Sequence, residues 1–510
     1  MRITNKIMQR NSVTNLNRNK VLSDKLNSQL TLEKKITRPS DDPVIAIRSL
    51  RLNTSITQLT QYYEKNVPDA SAWLKATEEA VEITTSVITD MYEQCTNGSK
   101  GSMTASDREK VLESLKSLRE EVYSTGNTDY AGRYLFSGYR TDMPLTFKNA
   151  TTQTYTLTEQ LGASNITEFT YVNTGDLTKL TEANAETGIT TEESDVTSHN
   201  VYRIQLAYSS LDEGCTPTIQ YYDTNAAGTK TSVSVTPTVV SANSTSPNPY
   251  TDVPANGAFF LPETGEVVLG ENLYKKMVCV LDDLTTDATN EGEIRITYDK
   301  SEWSKNDLMP EHYYACESEG IKYNQDFLTN ATNDEDGQII TYDVGLNQTL
   351  RVNTNASEVY IPEIGRNVDD LIRVADEAVK MQEVVDTLEA MVKANPENDT
   401  LQERLNAASK AMTYLSDRMQ KTFERGITQM QNHLDTVNQA LTQNGSRGQR
   451  LDLISNRLGS QQTTFQTLLS ENEDVDIAEV AVQLSSAELS YEASLMAVGK
   501  IAQTTLLNYL

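Results

Sequence analysis

The chain is poor in the residues that usually carry chemistry. It has three histidines and four cysteines in 510 residues. His199, His312 and His433 lie in different segments, and no H-E-x-x-H or other paired-histidine spacing occurs. A zinc or hydrolase centre needs His, Cys or carboxylates converging at ligand spacing. Nothing matches G-x-S-x-G, a Walker A loop or G-x-G-x-x-G. Cys95, Cys215, Cys279 and Cys316 are far apart and form no C-x-x-C pair. That excludes a disulfide framework and reads as buried free thiols. Long apolar runs are also missing. The longest, Met277–Leu281, is far below the roughly 20 residues that span a bilayer. No apolar stretch near the start has the length of a secretory signal core, so any export is expected without a cleaved signal peptide. These absences predict a protein that is not an enzyme, with no cofactor, no metal and no membrane partner.

Positive charge is scarce too. Lys and Arg number 44 against 72 Asp and Glu, a net of −28. Phosphate backbones are bound by clustered Lys and Arg, so nucleic acid is excluded as a partner. The charge is unevenly placed. Residues 1–40 carry nine basic side chains against Asp24 and Glu33, whereas residues 147–345 carry 10 against 31 acidic ones. A basic arm beside an acidic body reads as an interaction tail or as a solvated helix face.

What is present is helical periodicity at both ends. Asp42 followed by Pro43 is a helix start, a carboxylate cap and then proline at the first helical position. Val67, Ala70, Leu74, Thr77, Val81, Thr84, Ile88, Met91 and Cys95 alternate spacings of three and four, a seam with a period near 3.5. Pro68 predicts a kink or break near its start, and Asn97-Gly98 a stop. Ser106 with Glu109, and Thr400 with Glu403, read as capping boxes. The helical pattern returns near Val368, breaks at Asn395-Pro396 and continues to about Leu469; Gly445 and Gly448 read as interruptions or as close-packing positions in one long helix. After the acidic stretch Glu471–Asp476 comes a last seam, Ile477, Val480, Leu484, Ala487, Tyr491, Ser494, Val498 and Ile501, widened by Leu489, Leu495, Met496 and Leu506. A helix this apolar needs a surface to bury it.

Residues 147–345 are rich in Thr, Ser, Asn, Gly and Tyr, and alternation replaces helical period. Tyr202, Ile204, Leu206 and Tyr208 share one strand face, as do Ile294, Ile296 and Tyr298. Val233, Val235, Val267, Val268, Ile339 and Ile340 mark further strands. Asn256-Gly257, Thr264-Gly265 and Asp336-Gly337 are turn signals, and loops are expected around 181–200 and 241–256. The fold class read from this is α+β: an elongated helical coiled coil or bundle built from both ends, with a central β-rich domain projecting from the middle. The segments are 1–40, an arm; 41–146 and 346–470, the two halves of a helical core; 147–345, the β-rich domain; and 471–510, a terminal helix.

Four stretches resemble the flagellin superfamily. They are the opening Met1-Arg2-Ile3-Thr4; Arg38-Pro39-Ser40-Asp41-Asp42-Pro43; the loop Gly132-Arg133-Tyr134-Leu135-Phe136-Ser137-Gly138; and the close from Leu489 through Tyr491, Leu495 and Leu506 to Leu510. Pro43 is similar to the branch whose subunits join hook to filament, since filament subunits usually continue with alanines there. The resemblance implies a structural subunit outside the cell, exported through the flagellar apparatus and assembled by its ends. Implied partners are copies of itself, a neighbouring hook-associated protein, flagellin subunits and an export chaperone. The implied interface pairs Ile3, Ile7, Leu22, Leu26 and Leu30 with Ile477, Val480, Leu484, Tyr491, Leu495, Val498, Ile501 and Leu506. A filament subunit and a secreted adhesin remain the alternatives.

Overall fold

Chain order alternates long helices with a central block of strands, and a computed structural model describes it over residues 5–100, 105–212, 214–224, 230–281, 294–328 and 338–507. Helices α1 (Asn5–Leu32), α2 (Pro43–Gln61), α3 (Val67–Gly98) and α4 (Ala105–Thr125) come first. A hairpin, β1 (Asp129–Tyr130) and β2 (Arg133–Tyr134), follows. The central block holds β3 (Thr151–Leu161), β4 (Ile166–Asn173), β5 (Thr197–Gln205), β6 (Thr218–Thr224), β7 (Lys230–Val235), β8 (Thr238–Val239), β9 (Ala258–Leu261), β10 (Glu266–Leu269), α5 (Glu271–Leu281), β11 (Ile294–Trp303), β12 (Ala315–Ser318) and β13 (Ile321–Tyr323). After the pair β14 (Thr341–Gly345) and β15 (Gln348–Arg351) the chain returns to helix: α6 (Ala356–Val359), α7 (Pro362–Ala394), α8 (Asp399–Glu473) and α9 (Ile477–Leu507). The fold is α+β. Among the described residues, no helix is long and apolar enough to cross a membrane.

The chain forms two compact units. The smaller takes residues 1–71, 342–350 and 449–510; the larger takes 72–341 and 351–448.

In the larger unit the α3 seam is fully internal: Leu74, Thr77, Val81, Thr84, Ile88, Met91 and Cys95 are all buried. Leu371, Val374, Ala378 and Met381 of α7 and Leu415, Met419, Phe423 and Met430 of α8 are buried in the same unit. Gly98 is required where it stands, because a Cβ there would lie 2.3 Å from the Phe423 ring. The strands form two sheets, one ordered β13-β12-β3-β11-β6-β7 and the other β4-β5-β10-β9-β8. β3 and β11 pair antiparallel from Ile294↔Leu161 to Trp303↔Thr151, with a register shift between Lys300 and Glu302. This centre strand buries Ile294, Ile296 and Tyr298 on one face, the period-two pattern of its sequence. Buried charge ties the second sheet to α7: Arg203 on β5 pairs with Glu266 on β10 and with Asp370 on α7, and Arg373 bridges the same two carboxylates at 2.9 Å each. Both guanidiniums lie over the Phe169 ring.

In the smaller unit α2 runs beside the end of α8. Asn472 Nδ2 donates to Ser49 Oγ at 2.8 Å and to the Ile45 carbonyl at 3.0 Å, and Gln462 Nε2 donates to Thr60 Oγ1 at 3.0 Å. Asn66 Nδ2 donates to the Asp343 carbonyl at 2.7 Å, attaching β14.

Several local expectations change. Pro68 does not break the helical run; Tyr62–Asn66 form a π turn just before it, in which the Val67 N–H reaches the Tyr62 carbonyl. One extra residue in the turn accommodates the proline, which has no N–H to give. Ser106 and Thr400 are already inside α4 and α8; the α8 start is capped by Asn398, whose Oδ1 accepts the Leu401 N–H. Gly445 and Gly448 neither interrupt α8 nor pack closely, since a Cβ added at either would meet nothing within 4 Å. Ile339 and Ile340 precede β14, and β5 begins at Thr197 inside the expected 181–200 loop. Asp336-Gly337 lies outside the described residues. Cys95, Cys215 and Cys316 are free and buried.

Candidate assembly surface

The two ends of the chain meet in the smaller unit. α1 terminates at Glu33, which takes a left-handed φ of 55°, and the chain then crosses the α8–α9 junction. Lys34 and Asp474 form an antiparallel bridge, the Lys35 N–H donates to the Glu473 carbonyl at 2.6 Å, and the Val475 N–H donates to the Glu33 carbonyl at 3.2 Å. The Lys34 ammonium holds the Asp474 carboxylate at 2.6 Å and Glu473 at 3.2 Å. The hydrogen bond between Lys34 and Asp474 raises the Lys34 pKa and lowers that of Asp474. Asp476 then caps α9, its Oδ1 accepting the Ala478 and Glu479 N–H groups at 2.9 and 3.2 Å.

From this junction α1 and α9 run antiparallel against each other. Their shared core is small. Leu26, Val480 and Ala487 are buried, and Leu30, Val475 and Leu484 pack against them. Among the described residues, three buried side chains are a thin core for helices of 28 and 31 residues. On α9 the seam continues through half-buried Tyr491, Ser494 and Val498. On α1 it runs through Ser12, Leu16, Asn19, Ser23, Leu26 and Leu30, which is half polar.

The larger aliphatic side chains point elsewhere. Val482, Leu489 and Met496 recur every seven residues on the side of α9 opposite the seam and are 71, 69 and 70 % exposed. Ile477 and Leu495 flank the seam and are also exposed. On α1, Ile7 and Val21 lie on the side away from α9, with Val13 and Leu22 on the flanks, all exposed. Val44, Ile47 and Leu50 form a further exposed row on α2. Of the twenty exposed large apolar side chains among the described residues, seventeen belong to this unit.

The expected interface therefore divides in two. Leu26, Leu30, Val480, Leu484, Tyr491 and Val498 line the seam inside the chain. Ile7, Leu22, Ile477 and Leu495 do not: the 3.6-residue repeat carries them off the α1–α9 contact. Ile3 lies outside the described residues, as do the side chains of Ile501 and Leu506. The Ser and Asn residues of the α1 seam escape a sequence reading because they are polar; the three–four spacing through Leu16, Leu26 and Leu30 is the available signal.

The other motif residues serve the fold. The Asp42 carboxylate accepts the Val44 and Ile45 N–H groups at 2.9 and 3.2 Å, and Pro43 opens α2. Asp41 accepts the Arg38 N–H at 2.9 Å, a bond that lowers its pKa, and the Thr37 N–H and hydroxyl; Ser40 is exposed in that turn. Ala131 and Gly132, both at positive φ, make the two-residue turn between β1 and β2. Tyr134 is half-buried beneath Lys148, and Leu135 and Phe136 are buried, Phe136 standing edge-on to Tyr360 at 4.8 Å. Gly138 sits at φ 60°, where a Cβ would strike Gln338.

This N-terminal run of helices, cap and hairpin has a counterpart among known families. Residues 3–141 match the bacterial flagellin N-terminal helical region. Flagellar hook-associated protein 3 of Salmonella typhimurium is 27 % identical over 143 residues, 28 % of this chain and 45 % of its own length. That of Escherichia coli is 26 % identical over 143 residues, with the same coverage. The chain thus spans under half the length of the curated relatives it matches. Two solved structures align more widely: FlgL of Xanthomonas campestris, 11 % identical, covering 82 % of this chain and 99 % of that one with a TM-score of 0.30, and hook associated protein-3 of Legionella pneumophila, 10 % identical, covering 82 % and 97 % with a TM-score of 0.30. The matched region contains α1, α2 and the hairpin, but α9, the partner of α1 in the seam, lies beyond it.

A cavity of about 550 Å³ lies within the larger unit. Its lining includes Arg119, Arg366, Asp369, Asp370 and Arg373. Asp369 is paired with Arg119, Asp370 with Arg373, and Arg366 donates to the Gln205 carbonyl. Asp369 and Asp370 are thus engaged by guanidiniums rather than by each other.

Proposed function

We propose that the chain is a structural subunit of the bacterial flagellum that joins hook to filament, assembling through the outward faces of α1 and α9. The observation that carries this reading is the concentration of exposed aliphatic side chains in one small unit, with Val482, Leu489 and Met496 aligned opposite an already occupied seam. Each such side chain gains about 1.5–3 kcal/mol on burial. Soluble monomers rarely leave so much apolar surface contiguous unless something covers it. The role is structural rather than catalytic.

In this reading residues 1–40 are the export and assembly arm, 471–510 the assembly helix, 41–146 and 346–470 the helical core, and 147–345 the acidic domain turned to solvent. Copies of the chain, a neighbouring hook-associated protein and flagellin are the assembled partners. An export chaperone covers the apolar faces before assembly, and the chain leaves the cell without a cleaved signal peptide. Head-to-tail stacking suits the two different faces of the α1–α9 pair.

A filament subunit would use the same surface, and a deletion strain separates the two. A junction subunit predicts complete hooks without filaments, and flagellin lost to the medium. Filaments of any length in that strain would contradict the junction role.

A further inference from the structure

The α1–α9 seam contains one polar cluster. Asn19 Nδ2 donates to Ser494 Oγ at 2.9 Å and to the Ser490 carbonyl at 3.3 Å. Ser494 Oγ donates to the same carbonyl at 2.7 Å, closing a triangle. Asn19 and Ser494 are both half-buried seam positions. The bonds between Glu33–Lys35 and Glu473–Val475 anchor the register at the junction, and farther along the pair the contact specifies it weakly. Among the described residues its apolar core is three side chains near the junction, and beyond Asn19 none of the described seam side chains is buried. Away from the junction an apolar seam of leucines and alanines tolerates a slide by one heptad, whereas a half-buried amide bonded to one partner resists it. Sliding seven residues either way replaces Ser494 with Ala487 or Ile501, and neither has a hydroxyl. The amide of Asn19 would then face the seam without its partner.

We infer that Asn19, through Ser494 and Ser490, is the positioning residue that holds the register of α1 on α9 beyond the junction. Register fixes the height of Ile7 and Val21 on one helix relative to Val482, Leu489 and Met496 on the other. A neighbouring subunit therefore meets one surface rather than several. That last consequence rests on the proposed assembly role; the register claim does not.

The test uses the full chain with its cysteines replaced by alanine, and spin labels at Lys20→Cys and Glu488→Cys. Distances are measured with trimethylamine N-oxide present to keep the pair closed. The chain with Asn19 is expected to give one narrow distance. Asn19→Leu, with helix content unchanged, is expected to add a second population shifted by roughly 10 Å, seven residues at 1.5 Å each. The exchange Asn19→Ser with Ser494→Asn rebuilds the hydrogen bond from the other side and is expected to restore the single distance. Asn19→Leu holding one unshifted distance would overturn the proposal, as would an exchanged pair that stays heterogeneous. If filaments persist in the deletion strain while these distances behave as stated, the junction role fails and the register role stands.

Discussion

The two units of this chain solve opposite problems with similar helices. Among the described residues, the larger unit buries its apolar residues so completely that only Ile83, Tyr139 and Ile321 are exposed large apolar side chains. Among those of the smaller unit, eleven apolar side chains are buried and seventeen large ones are exposed. Charge follows the same division. The larger unit takes Arg203, Glu266 and Glu159 out of solvent, while the smaller keeps Lys34 and Asp474 at its surface. Buried charge costs several kcal/mol unless paired with good geometry, so it marks a unit with a fixed internal arrangement. In the proposed assembly role, exposed aliphatics mark one whose arrangement is completed from outside.

The comparison breaks most visibly at the far side of α9. Replacing Val482, Leu489 and Met496 together with Asp should abolish incorporation into the flagellum, because three side chains worth about 1.5–3 kcal/mol each on burial become charges. Circular dichroism and the melting transition of the purified chain should barely move. Loss of the folded chain instead would place those residues in an internal core. In the larger unit the effects should reverse. Phe423→Ala should cost about 3–5 kcal/mol of stability, read as a lower melting temperature, because the buried ring packs where Gly98 leaves room for it. Incorporation of the variant that remains folded should be unaffected.

Acid should also separate the units. Burial holds His312 and His433 down to about 4, so both are neutral in the folded larger unit at neutral pH. The unfolded chain binds those protons near the ordinary value of about 6.5. Stability from these groups is complete above that value and is lost as pH falls toward 4, up to about 3 kcal/mol each. Glu266 extends the loss below the ordinary carboxylate range: despite its burial, the Arg203 and Arg373 guanidiniums depress it to about 2. Glu159 has the opposite sign, since burial raises its pKa and protonation favours the folded form. A pH series of melting curves from 7 to 4 should show a falling transition for the larger unit, and His433→Gln should flatten it if its bond to Asn367 is kept. The smaller unit's surface pair, Lys34 with Asp474, should contribute little over the same range, because exposed pairs are worth under about 1 kcal/mol.

Sequence alone reaches the larger unit's helices more easily than the smaller unit's surface. The α3 seam from Val67 to Cys95 has a clean 3.5-residue period, and every member is buried. Strand β11 is legible because Ile294, Ile296 and Tyr298 alternate. Its partner β3 is not, because pairing across more than a hundred residues leaves no local trace. The Arg203–Glu266–Asp370 cluster is also invisible in advance, since charges are read as surface. At the ends, an apolar residue says that something covers it but not what does. Val480 and Val482 are two residues apart on α9, one sealed by α1 and one bare, and composition cannot separate them. Asn19 is missed for the converse reason, a polar residue in a seam otherwise recognised by its leucines.

Hydrogen exchange read by mass spectrometry, on the free chain and on the assembled flagellum, tests the central claim most directly. If the outward faces of α1 and α9 are completed by neighbours, amides across residues 7–30 and 480–498 exchange fast in the free chain, because a three-residue core holds them weakly. The same amides become strongly protected on assembly, while those of α3, β3 and β11 change little. Equal protection of the end helices in both states would contradict the account.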